Sequence, residues 1–466
     1  MLNFDELSKY RENNRIEAKR AVGGLPHSIW ETYSAFANTV GGVILLGVEE
    51  GPDKTLSTVP LPDPEALAEE FLVLVNDPAV VSVNILSPMN VCILEAQGNR
   101  IVVIEVPRAD RHDRPVYTGG DPVRGSYRRN GEGDYHCTPG EVLAMQRDSR
   151  DGALDGRVIE SLPAGALSSA AAGSWRAMLE TQRPGHPWLS LSGEELLAKA
   201  GALARGADRR MHPTAAGLLL FGEYGAIRTI YRHYAADYQE RPSRTAKWTF
   251  RLRAGDPTWS GNLFDFYALV SERLLQDLPR GGREAQALTE ALVNTIVHAD
   301  YEGEQPLSVI RTPRAVRFSN PGSLRPSLPE ALGGVADPRN ASIMRILRLA
   351  GVGRGEGSGL PAIRAAWRAL GRAEPVLEDQ LSFGRTVLTL PLDADPDPGR
   401  APAFPEARRQ AVLDYLRDHV SAELSALCEY LGEDAPRVKP LLGELIAGGL
   451  AEEYFDGERR RYRLKE

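Results

Sequence analysis

Apolar and polar positions along this chain alternate between helical and strand spacing. A short helical stretch at residues 4–10 precedes a helix over Ile29–Asn38 that stops at Gly41-Gly42. Residues 43–48 then read as one continuous apolar strand. Strands are expected at 80–86, 91–95 and 101–106, with a helix over Pro64–Leu74. That mixture is α+β with a largely antiparallel sheet. Farther on, residues 161–173 predict a loop with a short helix, and residues 193–202 a helix with Ser192 as its N-cap. A buried apolar run follows at 213–222, then strands at 227–238 and 247–252 and a long helix at 263–278.

The stretch EALVNTIVHADY, residues 290–301, organises the second half of the chain. Ala291, Leu292, Thr295 and Ile296 fall near one helical face, while Glu290, Asn294 and His298 line another. Glu290 and Asn294 are four apart, so their side chains emerge one above the other. A carboxylate can polarise a water, and an amide oxygen one turn later can hold a magnesium ion bridging phosphates. An amphipathic helix with a solvated polar face explains the same stripe. Two later segments bear on the choice. Residues 316–322 read as a strand running into the turn Asn320-Pro321-Gly322. Gly353, Gly355, Gly357 and Gly359 then stand at alternate positions before a helical run at 360–370. Glycines at that density let backbone N–H groups approach phosphate oxygens, and the following helix adds its N-terminal dipole.

Helix, strand-turn and glycine-rich loop in this order resemble the GHKL-type ATP-binding domain of gyrase, Hsp90, histidine kinases and MutL. The resemblance covers roughly residues 285–392 and is to the divergent branch attached to Schlafen-like bacterial regulators. It implies that Glu290 is a general base, that Asn294 holds magnesium, and that ATP is bound by Asn294, His298, Asn320, Gly322, Gly353 and the lid glycines Gly355, Gly357 and Gly359. Most of that superfamily begins the adenine-contacting box with Asp, whereas this chain has Asn320. A neutral acceptor there leaves base selectivity and affinity open. Arg339 and Arg345 lie between the two glycine boxes, where contact with a γ-phosphate is one reading and surface charge the plainer expectation.

The chain has 466 residues, which predicts several domains. Its composition, 42% hydrophobic and 25% charged, is that of a globular protein. A net charge of −8 means that nucleic-acid contact must come from local patches. Cys92, Cys137 and Cys428 have neither disulfide-framework nor zinc spacing. With no signal-peptide pattern or long apolar span, they point to the cytoplasm and away from a membrane.

Near the N-terminus, Glu12, Glu17, Lys19, Phe36-Ala37-Asn38, Gly41-Gly42 and Glu50, with Tyr127-Arg128-Arg129 later, closely resemble the Schlafen AlbA-like domain. In animal Schlafens the positions matching Glu12, Glu17 and Glu50 form a metal-dependent RNA-cleaving centre. The resemblance therefore implies magnesium or manganese on these three carboxylates, with Lys19 offsetting charge. A salt bridge between Glu17 and Lys19, two apart on one strand face, is the alternative. Basic excess at residues 9–20 (Arg11, Arg15, Arg20) and 108–129 (Arg114, Arg128, Arg129), with Tyr127 among them, suggests a phosphate-backbone surface.

Residues 393–405 form a Pro- and Asp-dense linker. Three short helices and a hairpin about Asp456-Gly457 then predict a winged helix with Arg460 on its wing. Residues 405–466 nonetheless hold ten Lys+Arg against thirteen Asp+Glu, which suits a protein-contact module as well. The expected architecture is α+β multidomain. It comprises a Schlafen AlbA-like domain at 1–147, a linking α/β region at 148–283, a GHKL (Bergerat) α/β sandwich at 284–392, the linker, and a winged helix at 406–466. The expected function is an ATP-switched regulator, a homodimer, that binds DNA or structured RNA such as tRNA. The alternative is a Schlafen-like endoribonuclease.

Overall fold

The structure, a computed structural model, describes residues 15–242, 247–279, 281–353 and 359–393, and beyond them 412–413, 415–416, 421–431, 435–447, 450–456 and 459–465. The expected helix at 4–10 and linker at 393–405, apart from Asp393, lie outside these residues, as do Arg11, Glu12, Gly355 and Gly357. The chain divides into two compact units, Met1–Asp151 with Arg325–Ser327, and Gly152–Leu324 with Leu328–Glu466.

In the first unit, β1 (Ile16–Lys19), α1 (Ile29–Asn38), β2 (Gly42–Leu46), β3 (Val48–Glu50), β4 (Leu56–Thr58), α2 (Pro64–Leu74), β5 (Val91–Ala96) and β6 (Asn99–Val106) follow in order. A short α3 (Pro122–Gly125), β7 (Tyr127–Asn130), β8 (Gly133–His136) and α4 (Pro139–Asp148) complete it. The four-stranded sheet runs β1-β2-β6-β5, parallel only between β1 and β2. Helix α1 is buried on nearly every side, and Ile29, Tyr33 and Phe36 pack with Ile44, Phe71 and Ile104. Asn38 ends that helix inside the core. Its amide donates to Val116 O (2.7 Å) and Tyr127 O (3.0 Å) and accepts from Val116 N (2.8 Å), tying two distant segments to α1.

The strand expected at 80–86 does not form. Only Val81 makes a bridge, to Thr118. The backbone there finds other partners: Ser82 N donates to Tyr117 O, and Ile85 N donates to Tyr33 Oη. Apolar alternation in that stretch serves packing without a ladder.

The second unit opens with α5 (Ser169–Gln182), longer than the short helix expected because Ala171, Trp175 and Leu179 bury one face at four-residue spacing. Then come α6 (Gly193–Ala200), capped by Ser192 as expected, β9 (Leu203–Arg205), β10 (Met211–Pro213) and α7 (Ala215–Phe221), which is wholly buried. Residues 227–238 are not one strand. They split into α8 (Tyr224–Ile230) and β11 (Ala236–Glu240), because Ile227, Tyr231 and Tyr234 are buried at spacings of four and three. After β12 (Phe250–Arg253) and α9 (Leu263–Leu275) come α10 (Arg283–His298), β13 (Leu307–Arg311), β14 (Ala315–Pro321), α11 (Leu328–Gly333), α12 (Ala341–Leu349), α13 (Gly359–Ala369), β15 (Val376–Gln380) and β16 (Arg385–Pro391).

Strands β12-β11-β13-β14-β16-β15 form one six-stranded sheet, parallel only between β11 and β13. This sheet takes two strands from before residue 284, and one hydrophobic core runs from Ile159 to Leu390. Helix α10 lies in the layer over the sheet, packed on β14, α9 and α13. Residues beyond 411 have a separate core, with helices Leu424–Leu431 and Ala435–Ala447 and a sheet of Ala422–Glu423, Arg459–Leu464 and Ala451–Asp456. Just ahead of the first of these helices, Ala422 pairs with Tyr462 in that sheet.

Candidate functional site

Helix α10 carries the predicted stripe. Its apolar face, including Ala291, Leu292 and Ile296, is fully buried, Glu290 and Asn294 face the first residue of α13, and His298 is the half-buried last residue of the helix. Glu290 is only 6% exposed, so the solvated polar face does not describe it. A Cβ built on Gly359 would stand 2.8 Å from both Glu290 Oε1 and Asn294 Nδ2. The first residue of α13 therefore meets the carboxylate and the amide together, and glycine permits the approach. The dipole at the start of α13 makes this junction favourable for an anion. Beside Glu290, a cavity of about 460 Å³ opens between α10 and α13, lined by Arg283, Gln286, Ala287, Ile363 and several alanines.

The strand-turn forms as expected. Asn320 is buried at the end of β14, and Gly322 follows at φ 91°, left-handed backbone that favours glycine. Asn320 pairs across the sheet with Thr386, whose hydroxyl donates to Gly322 O at 2.9 Å. Sequence reading passed over Thr386, a β-branched residue in an ordinary strand pattern. Gly353 (φ 76°) sits against Val293 of α10. Arg339 is not surface charge: it is 5% exposed and its guanidinium donates to His298 O (2.9 Å) and Ser323 O (2.7 Å). Arg345 is exposed, as expected.

In the first unit, Glu17 and Lys19 do form an ion pair, at 2.9 Å, though in a largely buried place. The other Glu17 oxygen accepts from Arg129 (2.8 Å), which also reaches Asp134 (2.9 Å) and Ile16 O (3.3 Å). Asp134 in turn accepts from Thr32 at 2.7 Å. The Arg129 side chain is 1% exposed, so it is a structural cation and not the phosphate contact expected from sequence. Arg114 is likewise buried, and its guanidinium donates to Arg325 O at 3.3 Å. Both gave no sequence signal of burial, since an arginine buries only with partners that the fold supplies.

Glu50 pairs with Lys54 at 3.2 Å, while its Oε1 is buried and meets no donor among the described residues. Among those residues no three metal-ligating side chains come together. Glu17, with both oxygens held by cations, does not fit a metal site. Arg15 and Arg20 are exposed, with Arg20 beside Glu49 (3.1 Å). Arg128 is half-buried beside Glu141 (3.2 Å), and the Tyr127 ring lies tilted against His136 with centroids 4.3 Å apart. Arg460 is exposed near Glu453.

No described helix is long and apolar enough to cross a membrane. No curated protein matches the chain. A solved structure, the DIP2311 protein from Corynebacterium diphtheriae, is 17% identical over 97% of this chain and 95% of its own, with a TM-score of 0.41. The N-terminal domain of a "Putative ATP-dependent DNA Helicase RecG-related Protein" from Nitrosomonas europaea is 32% identical over 29% of this chain and 90% of its own, with a TM-score of 0.23. Three families match parts of the chain: "Schlafen, AlbA_2" at residues 12–138, a domain of unknown function (DUF8451) at 143–237, and "Putative ATP-dependent DNA helicase recG C-terminal" at 307–388. The last span begins after α10, so Glu290 and Asn294 rest on the geometry above. The chain thus carries a Schlafen AlbA_2 domain and, in its second half, a RecG-like HATPase_c_4 domain.

Proposed function

We propose that this chain is an ATP-binding regulator of nucleic acid, in which nucleotide occupancy of the cleft beside α10 sets the grip of the other domains. The supporting observation is the convergence of Glu290, Asn294 and the start of α13 on one point. Phosphates are held at that helix start, Asn294 offers an amide oxygen, and Glu290 is placed to orient a water. Oxygen donors of this kind suit magnesium, which when bound neutralises triphosphate charge. Asn320, Thr386 and Gly322 form the purine end, with the Asn320 amide able both to donate to a base and to accept from it. Nucleic acid, either DNA or structured RNA such as tRNA, is held by exposed arginines of the first unit. The elements at 412–465 act as a winged helix, and the nucleotide-bound chain pairs as a homodimer.

Mg-ATP should raise the melting temperature of the purified protein, and Asn294→Ala should remove the rise. A wild type that responds to no nucleotide ends this reading.

A further inference from the structure

Helix α10 and the turn after β14 form two walls of the proposed cleft; Asp300 N–H joins them directly at Pro321 O (2.9 Å), and one dipeptide, Arg339–Asn340, adds side-chain bonds across the same gap. Helices leave their last carbonyls unsatisfied. At the end of α10, Asn340 supplies the missing donors: its backbone N–H reaches Val297 O (3.0 Å), and its side-chain amide reaches Val297 O (3.2 Å) and Ala299 O (2.7 Å). Tyr301 Oη donates to Ile296 O (2.8 Å), and Arg339 takes His298 O with one nitrogen and Ser323 O beyond Gly322 with the other. Its guanidinium packs against Gly322, where a Cβ would stand 2.9 Å from Arg339 Cζ. Both residues are at least nine-tenths buried.

Asn340 also occupies the N-cap position of α12, where an asparagine ordinarily accepts from its own helix. Its side chain makes no such bond. Buried Asp155 caps α12 instead, accepting from Ser342 N (3.1 Å) and Ile343 N (2.7 Å). The asparagine is thereby released to serve α10.

We propose that Arg339 and Asn340 are positioning residues for nucleotide binding. They never touch the ligand, but set the distance between the phosphate-facing stripe of α10 and the base-facing Asn320–Gly322 turn. This deepens the nucleotide reading above and rests on it for its consequence, though not for its mechanics. A planar guanidinium spans two carbonyls at once, whereas a lysine ammonium is a point donor on a flexible stem. Arg339→Lys therefore keeps the charge and uncouples the walls.

ATP touches both walls, so its affinity depends on their spacing. Adenosine and magnesium pyrophosphate each touch one wall, and theirs does not. In titration calorimetry with competition, Arg339→Lys should weaken Mg-ATP about tenfold while leaving the two half-ligands within about twofold of wild type. Unchanged Mg-ATP affinity overturns the proposal, as does an equal loss for all three ligands, which marks general unfolding. A nucleotide-independent measurement separates this proposal from the reading beneath it. In Arg339→Lys, amide hydrogen exchange should quicken together at 297–300 and 320–323 while α9 and β11 keep wild-type protection. Quickening confined to 339–341 overturns the clamp. If wild type binds no nucleotide, the nucleotide reading alone fails and the exchange result still decides the clamp.

Discussion

Replacing Gly359 with alanine tests the contact at the heart of the cleft. The added Cβ would lie 2.8 Å from Glu290 Oε1 and Asn294 Nδ2, about 0.6 Å inside the 3.4 Å at which ordinary contact begins. Both opposing atoms end rotatable side chains, so they swing aside and the helices keep their places. Forcing a side chain off its rotamer costs about 0.5–1.5 kcal/mol. Alanine at this first helical position recovers less than the roughly 0.5–1 kcal/mol it returns over glycine in a helix interior. Unliganded stability should therefore stay within about 1 kcal/mol of wild type. Binding should not, because the displaced carboxylate and amide no longer converge on the start of α13. Ligand at a hundred times its dissociation constant stabilises by about 2.7 kcal/mol, and a tenfold loss of affinity removes about 1.4 kcal/mol of that. Melting curves with and without Mg-ATP should show an almost unchanged apo transition and about half the wild-type rise. A full rise in Gly359→Ala refutes the reasoning, and so does an apo transition that collapses.

Three further outcomes follow from buried charge. Arg129→Ala leaves Glu17 and Asp134, each 13% exposed, without their shared cation, and should cost the first unit about 3–5 kcal/mol in urea unfolding; a loss under about 1 kcal/mol contradicts the network. His212 places its two ring nitrogens 2.8 Å from Leu162 O and 2.9 Å from Asp208 Oδ1, an arrangement for the doubly protonated ring. Asp208 first, then the Leu162 carbonyl, raise its pKa above the ordinary 6.5. Its stabilising contribution is therefore complete below 6.5 and fades as pH climbs through the raised native value. The melting-temperature gap between wild type and His212→Gln should narrow from pH 6 to pH 9, and a constant gap counts against it. Labelled tRNA with Mn²⁺ or Mg²⁺ should stay intact, because Glu17 is committed to Lys19 and Arg129; cleavage by wild type that vanishes in Glu17→Gln overturns that expectation.

Helices with a strong apolar period were legible in sequence: α1, α2 and α10 depend on local spacing, and so does the Asn320–Gly322 turn. Residues 227–238 misled because Ile227, Ile230 and Tyr231 suit both strand and helix, and only burial at 227, 231 and 234 decides. The stretch 80–86 misled for the opposite reason. Its alternation is real, but Tyr33 supplies the hydrogen bonds that a neighbouring strand would have given. At the cleft, the helix stripe and glycines were visible because they are local motifs. Thr386, the Arg339–Asn340 clamp and the Asp155 cap were not, since each acts on a backbone group far away in sequence.

Burial also sorts arginines that a charge count treats alike. Arg114 and Arg129 are spent inside the first unit. Exposed or half-exposed ones stand beside carboxylates: Arg20 with Glu49, Arg128 with Glu141 and Arg124 with Asp121. Such surface pairs are worth about 0–1 kcal/mol, so a phosphate can displace the carboxylate at small cost. The displaced carboxylate stays nearby and keeps repelling the phosphate, which offsets part of the gain from counterion release. On the proposed reading, each arginine then contributes less affinity than on a uniformly basic surface. A weak grip is also an adjustable one. If nucleic acid is held marginally, a coupling of about 1–3 kcal/mol from nucleotide occupancy is enough to change the bound fraction severalfold. A surface of unpaired cations would hold too tightly for a switch of that size to matter.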